Sequence, residues 1–271
     1  MKLPGWIIGE FAGTFLLVFF GCGSVCVAVT TGALVGVFQV AIVWGLGIAV
    51  AICLTGSLSG AHLNPAVTLS LAVWRGFPKR RVLPYIACQL FGAFAAAAVL
   101  YVLFAGALRD FEVRNSVVRG AAGSEASAMV FGEYFPNPGG KPLTDGARQQ
   151  VSATVAFAAE AVGTALLVLA IFGVTDVHHR SSSPILIAAL IGLTVTILIC
   201  VLSPLTMACF NPARDLAPRV FSSLAGWGTL PFQVNGKGWL AVYVMAPLAG
   251  GCAGGGFYQL VITALRRESV S

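Results

Sequence analysis

The chain has 271 residues, of which 58% are hydrophobic and only 10% are charged, and its mean hydropathy is +0.89. Soluble domains carry about 25% charged residues, so this composition excludes a water-soluble globule and is typical of a protein built from membrane spans of roughly 20 residues. Basic flanks of such spans explain the net charge of +6, and we expect no nucleic-acid partner.

Six long apolar segments predict an all-α membrane protein with six transmembrane helices. In chain order they lie at about 6–30, 35–57, 83–106, 151–174, 184–204 and 239–263. Two further stretches, at about 58–76 and 205–223, are too short to cross a membrane alone. We therefore expect each of these two stretches to enter the membrane and leave it on the same side.

Each short stretch contains the triplet Asn-Pro-Ala, and the two copies are 147 positions apart. They comprise Asn64, Pro65 and Ala66, and Asn211, Pro212 and Ala213. Asparagine is a good helix N-cap and proline is favoured as the first helical residue, so each triplet predicts the start of a short helix. Non-helical backbone at membrane depth is tolerated where it lines a water-filled cavity. Two such re-entrant half-helices therefore indicate a pore.

Sequence repetition extends beyond the two triplets. Residues 10–14 correspond to residues 160–164, and the pair Gly-Leu at 45–46 corresponds to the pair at 192–193. We interpret residues 1–271 as a single transmembrane channel domain with internal repeats at about 6–106 and 151–263. Three spans in each half invert the second repeat relative to the first, as in many membrane transport proteins.

The distribution of lysine and arginine gives the predicted orientation. Eight basic residues fall on each side, but the clusters at 79–81 and 266–267 are on the side of the termini. Clustered basic residues next to a span favour the cytoplasmic side. We expect a multi-pass protein of the cell's inner or plasma membrane with cytoplasmic termini, and a loop at 109–149 that covers the opposite pore mouth.

The chain has no recognisable catalytic or cofactor-binding set of residues. Its seven cysteines lie in apolar segments without metal-ligand spacing, so we expect buried, reduced cysteines that serve in packing. No Ser/His/Asp set or phosphate-binding loop is present, and His178 and His179 lie in a short polar loop. We therefore expect neither an enzyme nor a cofactor or metal site.

The segments 60–68 and 211–215, with the sequences GAHLNPAVT and NPARD, resemble the aquaporin and glycerol-facilitator family. The resemblance covers nearly the whole chain, including the Glu-x-x-Gly-Thr start of each half. It implies a homotetramer with one pore in each subunit, which passes small neutral solutes such as glycerol and water across the lipid bilayer. Asn64 and Asn211 would then donate hydrogen bonds at the pore centre. The two helix N-termini there, each with about half a positive charge, would oppose cations and protons.

The resemblance also implies which backbone groups line the pore. Extended chain before each asparagine would present carbonyl oxygens that replace solvent hydrogen bonds along the path. These oxygens belong to Gly60, Ala61, His62 and Leu63, and to Met207, Ala208 and Cys209. Glu10 and Glu160 would hold the two loops by accepting hydrogen bonds from their backbone N–H groups.

Trp44, Ile199, Ala208 and Arg214 match the family's selectivity filter by position. Arginine stays protonated, repels cations and can donate to hydroxyl groups. Glycerol facilitators typically have glycine at the position of Ile199 and phenylalanine at that of Ala208. This filter is therefore more similar to that of the nodulin-like plant intrinsic proteins, which pass water, glycerol and other small neutral solutes.

Further positions resemble the aquaglyceroporin branch: Asp215, Arg219, Pro247 and Leu248. They favour a glycerol channel, while the filter leaves open water, ammonia, urea or an undissociated weak acid as the main solute. An ion-coupled secondary transporter is an alternative of a different class, with Glu10 and Glu160 as its only candidate proton-relay groups. A purely structural junction protein would have no need of Arg214.

Overall fold

A computed structural model of the protein describes residues 3–176 and 183–268. All regular secondary structure within these residues is helical. In chain order the helices are α1 (Gly5–Thr31), α2 (Val37–Ser59), α3 (Pro65–Trp74), α4 (Val82–Arg114), α5 (Glu125–Ala128), α6 (Asp145–Gln150), α7 (Ala153–Val174), α8 (Pro184–Thr206), α9 (Pro212–Ser222) and α10 (Leu230–Gln233), followed by α11 (Gly238–Arg266). His178 and His179 lie outside the described residues, as do Lys2 and Arg180.

Local departures from α-helical geometry occur at three places. A 3-10 turn at Lys79–Arg81 precedes α4, and a π-helical turn at Ser223–Trp227 follows α9. The last long helix, α11, alternates between α-helical and π-helical segments, which are Gly238–Leu240, Ala241–Met245, Ala246–Phe257, Tyr258–Ile262 and Thr263–Glu268, and its helical structure thus continues two residues beyond the apolar span that ends at Arg266.

Six helices are long and apolar enough to cross a membrane, namely α1, α2, α4, α7, α8 and α11. The six spans predicted from the sequence are therefore confirmed. One boundary differs, because α4 continues to Arg114 rather than ending near residue 106. Its last turns stay helical because Leu108 and Phe111 are buried and Glu112 pairs with Arg119 in the following loop.

The two halves of the chain use equivalent elements in the same order. In the first half α1 packs against α2 and α4, and in the second half α7 packs against α8 and α11, while α2 contacts α8 between the halves. Glycine permits these close approaches in lipid. A Cβ atom at Gly92 would overlap the backbone of Phe11, and one at Gly250 would overlap the backbone of Ala161. The corresponding helix pairs therefore approach to backbone contact in both halves.

The short helices α3 and α9 begin at the two Asn-Pro-Ala triplets. Asn64 is extended (φ −158°) and its side chain accepts from the Ala66 N–H, while Asn211 accepts from the N–H groups of Ala213 and Arg214. Each asparagine is thus an N-cap followed by proline at the first helical position. The two predicted re-entrant half-helices are present.

The prediction that the cysteines are buried is wrong for part of the set. Cys22, Cys26 and Cys209 are buried, but Cys53 and Cys200 are exposed on the outer faces of α2 and α8. In a membrane protein the surface of a span faces hydrocarbon or another subunit, so an apolar segment does not imply burial inside the chain. All seven cysteines are free thiols.

Candidate pore and filter

The two half-helices meet through their capping asparagines. The side-chain amide of Asn64 donates to the Phe210 carbonyl at 2.8 Å, and that of Asn211 donates to the Leu63 carbonyl, also at 2.8 Å. Each amide group has two N–H donors, so one donor on each asparagine remains for a molecule in the passage. The two N-termini therefore face the same point at the centre of the molecule.

Backbone strain is concentrated in the segments that lead to the asparagines. Within residues 3–176 and 183–268, six non-glycine residues have positive φ, and five of them lie here: Ala61, Leu63, Met207, Ala208 and Phe210. A left-handed conformation costs about 1–2 kcal/mol for such a residue, so the surrounding structure must hold these segments in place. The conformation keeps their peptide groups out of helical hydrogen bonding and so presents the backbone to the passage.

Two buried glutamates hold these strained segments. Glu10 accepts from the N–H groups of His62 and Leu63, each at 2.9 Å. Glu160 accepts from the N–H groups of Cys209 at 2.9 Å and Phe210 at 2.7 Å. Side chains complete both sites, since Glu10 also accepts from Ser59 and Gln89 and Glu160 from Thr206. Both carboxylates therefore accept hydrogen bonds from the re-entrant loops and from the side chains beside them.

A cavity of about 270 Å³ runs along the half-helices towards the filter. One part of its wall is apolar and includes Ile48, Val67, Leu71, Leu167, Ile191 and Val195. The other part is the re-entrant backbone at 60–63 and 208–210. The passage is therefore amphipathic along its length.

A second cavity, of about 520 Å³, opens on the side of the long loop at 115–152. Trp44, Ile199 and Arg214 line both cavities, whereas Ala208 lines only the first and Met207 only the second. The three shared residues are buried, each with 5% or less of its surface exposed. They therefore mark the neck of the passage, and the predicted filter residues come together there.

The guanidinium of Arg214 is held between an aromatic ring and a carboxylate. Its central carbon lies 4.4 Å from the centroid of the Trp44 ring, which is within cation–π range. Its Nη2 forms an ion pair with Glu133 of the long loop. Its Nη1 is buried without a hydrogen-bond partner among the described residues. An unpartnered buried donor is costly in a dry site, so Nη1 is the group that a passing hydroxyl or water would satisfy.

Comparison with known proteins places this architecture. A model of the major intrinsic protein family matches residues 2–258. The chain belongs to the major intrinsic protein family.

Several individual proteins are similar to this chain over almost their full length. The chain is 38% identical to the glycerol uptake facilitator protein of Pseudomonas aeruginosa, covering 96% of this chain and 90% of that protein. It is 40% identical to the one of Escherichia coli, covering 96% and 89%. It is 37% identical to the propanediol uptake facilitator PduF of Salmonella typhimurium, covering 93% and 92%. The aquaglyceroporin of Plasmodium falciparum superposes with a TM-score of 0.81 at 27% identity, covering 97% of this chain and 98% of that one.

The four positions predicted to mark the glycerol branch lie outside the passage of this major intrinsic protein. Asp215 and Arg219 form a buried ion pair at 2.8 Å on one face of α9. Pro247 is buried in α11 and Leu248 is half-buried there, and neither lines a cavity described above. Their contribution is to packing around the pore rather than to its wall.

Sequence reasoning missed two groups at the pore. The Phe210 carbonyl accepts from Asn64 in the same way as the Leu63 carbonyl accepts from Asn211, and the internal repeat was the signal that could have shown it. Glu133 contacts Arg214 from a loop that has no counterpart in the other half. Burial raises the pKa of the Glu133 carboxyl above its usual range, against the opposing effect of Arg214. No pattern in the sequence identifies this residue.

Proposed function

We propose that the protein is a passive membrane channel for glycerol and other small neutral solutes, with water. The observation that carries the proposal is the amphipathic passage, which ends at a neck where a buried Arg214 donor has no partner within the described part of the chain. The names of the similar bacterial proteins, glycerol and propanediol uptake facilitators, support the same class of solute.

The chemistry of a polyol suits the two walls of the passage. The alkyl backbone of glycerol can lie against the aliphatic side chains, and its hydroxyl groups can exchange water for the re-entrant carbonyls. At the neck, Arg214 Nη1 donates to one hydroxyl while the Trp44 ring covers the carbon side. Two helix N-termini, each with about half a positive charge, raise the energy of a cation at the centre.

The hydrogen bonds and position of the two intramembrane carboxylates, Glu10 and Glu160, favour transport that is not coupled to an ion. Glu10 and Glu160 are buried and accept hydrogen bonds from backbone and side-chain donors. A proton relay needs a carboxylate that can exchange protons with water on the transport path, and neither residue lines either cavity. We therefore assign transport rather than catalysis or ion coupling to this pore, with the whole chain acting as one channel domain.

A channel for smaller solutes, such as water or ammonia, is the second candidate. It is favoured by Ile199, whose branched side chain lines the neck from both cavities. Ala208 acts in the opposite direction, because its small side chain leaves space beside the re-entrant backbone. The relative size of these two effects decides how fast glycerol moves compared with water.

Stopped-flow light scattering on proteoliposomes separates the two candidates. A glycerol gradient should give fast shrinkage followed by fast recovery as glycerol enters, whereas an impermeant sugar gives shrinkage alone. Ala208→Trp should abolish the recovery by filling the neck. Val102→Trp is the matched control, because Val102 lies on α4 with 76% of its surface exposed on the outside. Fast shrinkage without glycerol recovery in the parent protein would favour the second candidate.

We also propose that four copies assemble, each with its own pore, in the inner or plasma membrane with cytoplasmic termini. Outward-facing side chains on α2 and α8, including Leu46, Leu54 and Ile197, are exposed and apolar, which suits contact with lipid or neighbouring subunits. If α1 and α2 each cross the membrane and α3 re-enters it, the basic cluster Lys79–Arg81 before α4 is on the same side as the N-terminus, and such clusters favour the cytoplasmic side. Mass measurement in detergent tests the assembly. A cysteine introduced at the exposed Asp145 should react with an impermeant reagent added outside intact cells.

A further inference from the structure

Glu133 brings a negative charge to the neck of the passage. Its carboxylate is completely buried, and its Oε1 forms an ion pair with Arg214 Nη2. Apart from this ion pair, neither of its oxygens has a hydrogen-bond partner among the described residues. Among the described residues that line the two cavities, Glu133 is the only carboxylate. The contact with Arg214 is therefore its principal interaction.

The backbone of Glu133 is fixed by the residues that follow Arg214 on α9. Asp215 Oδ1 accepts from the Glu133 N–H at 2.7 Å, and Arg219 Nη2 donates to the Glu133 carbonyl. Asp215 and Arg219 are paired with each other at 2.8 Å and are almost fully buried. One turn of α9 therefore binds both the N–H and the carbonyl group of Glu133. This places the Glu133 carboxylate beside Arg214, the residue that precedes Asp215 on α9.

Other acidic residues in or beside this loop have different partners. Glu112 pairs with Arg119 at 2.8 Å, and Glu125 contacts Arg148 at 3.4 Å and accepts from the Leu143 N–H. The first pair holds the loop to the end of α4, and the second holds the loop to itself. Glu133 is the member of the three that reaches the pore, so its role differs from that of loop bracing.

The charge balance at the neck depends on this residue. Arg214 is always protonated, and the N-termini of α3 and α9 add about half a positive charge each near the centre. These positive groups repel cations, but they attract small anions, and in a low-dielectric site that attraction is strong. Ionised Glu133 cancels the charge of Arg214 on the side from which a solute in the second cavity arrives.

We propose that Glu133 is a specificity-determining residue that keeps small inorganic anions out of the pore by neutralising Arg214. The inference rests on the proposed channel function. With the pair intact, the neck discriminates by hydrogen bonding from Arg214 Nη1 and not by net charge. Without the carboxylate, the passage is positive from the neck to its centre and admits anions.

Nitrate is the probe, because it is small, singly charged and not protonated in neutral or alkaline water. Proteoliposomes with valinomycin are placed in potassium nitrate at a pH above the pKa of Glu133, and swelling reports nitrate entry. Glu133→Gln should increase nitrate entry by at least tenfold over the parent. Glu125→Gln, which disturbs the same loop away from the pore, should give no increase.

The double variant Glu133→Gln/Arg214→Gln separates charge from a loosened loop. It removes both charges, so the nitrate leak of Glu133→Gln should disappear. Persistence of the nitrate leak in the double variant would overturn the inference. So would a choline leak in Glu133→Gln equal to its nitrate leak, or a Glu133→Gln protein that conducts glycerol but no more nitrate than the parent. If Glu133→Gln does not insert, Glu133→Asp should give an intermediate leak, and a leak no larger than the parent's would contradict the inference.

Glycerol entry is measured in the same vesicles, which keeps the two proposals apart. If the parent passes glycerol but the variants gain no nitrate entry, the proposed role of Glu133 is rejected and the proposed channel function stands. A parent that passes no glycerol rejects the proposed function, whatever the nitrate result.

Discussion

Asn64 and Asn211 are cross-linked by reciprocal hydrogen bonds, in which each side-chain amide donates at 2.8 Å to the carbonyl that precedes the other asparagine. Each asparagine also caps its own half-helix. The two halves of the chain are therefore joined at the point where the passage needs free donors, so a single residue type serves folding and solute binding together.

Replacement of Asn211 by alanine should destabilise the protein by about 1–3 kcal/mol, because it removes a cap and the cross-link. Asn64→Ala is the matched variant. It should cost less, since Asn64 caps only the Ala66 N–H whereas Asn211 caps two N–H groups, those of Ala213 and Arg214. Thermal unfolding in detergent measures both. Equal losses would show that the second capped N–H contributes nothing.

A methyl group at Gly21 should slow glycerol entry because it displaces the Trp44 ring. A Cβ atom there would overlap the Trp44 ring, and the Arg214 guanidinium lies 4.4 Å from the centroid of the same ring. Gly21→Ala therefore pushes the ring into the neck. Gly106→Ala is the control, because open space surrounds Gly106 in α4 and alanine favours a helix by roughly 0.5–1 kcal/mol. Glycerol flux unchanged in Gly21→Ala would mean that the ring does not narrow the passage.

Shortening Ile199 should widen the range of solutes. Ile199→Ala removes a branched side chain from the neck, and a difference of this size in an apolar pocket changes discrimination by roughly tenfold. We expect a four-carbon polyol to gain more than glycerol in a swelling assay. Val201→Ala, on the exposed side of α8, should change neither rate. A gain for glycerol alone would argue that the neck is not the size-limiting point.

The effect of Glu160 on transport should be structural. In Glu160→Gln the amide N–H₂ must face a backbone donor, either the Phe210 N–H or the Cys209 N–H, which both lie against the carboxylate now. Leaving a buried donor unsatisfied costs about 1–3 kcal/mol, so the melting temperature and glycerol flux should fall together. Dependence of the parent's glycerol flux on a pH gradient, lost in the variant, would instead indicate a proton relay.

Nitrate entry in the parent protein should rise as the pH falls through the pKa of Glu133, which burial raises above its usual range. Above that pKa the carboxylate is ionised and balances Arg214; below it the carboxyl is neutral and the guanidinium charge is unopposed. The other charged groups near Glu133 are Arg219, Asp215 and Glu160. The leak of Glu133→Gln should be the same at all these pH values, and a parallel rise in the variant would assign the titration to another group.

The parts of the structure that could be predicted from the sequence are those set by local rules or by repetition. Asn-Pro at 64–65 specifies a helix start on its own, and its second copy places the other half of the pore. The contact between Glu133 and Arg214 depends on how a non-repeated loop folds back onto α9, through the Asp215 hydrogen bond at 2.7 Å. Glu133 and Arg214 are 81 positions apart and belong to no repeat, so no local pattern in a single sequence predicts that they are in contact.

Passive transport is the central claim, and the steady-state distribution of labelled glycerol tests it most directly. Proteoliposomes are given an imposed proton gradient, then a sodium gradient, and the internal and external glycerol concentrations are compared once uptake has stopped. A passive channel gives equal concentrations under both gradients, with an ionophore changing neither the rate nor the end point. Accumulation of glycerol above the external concentration under either gradient would contradict it.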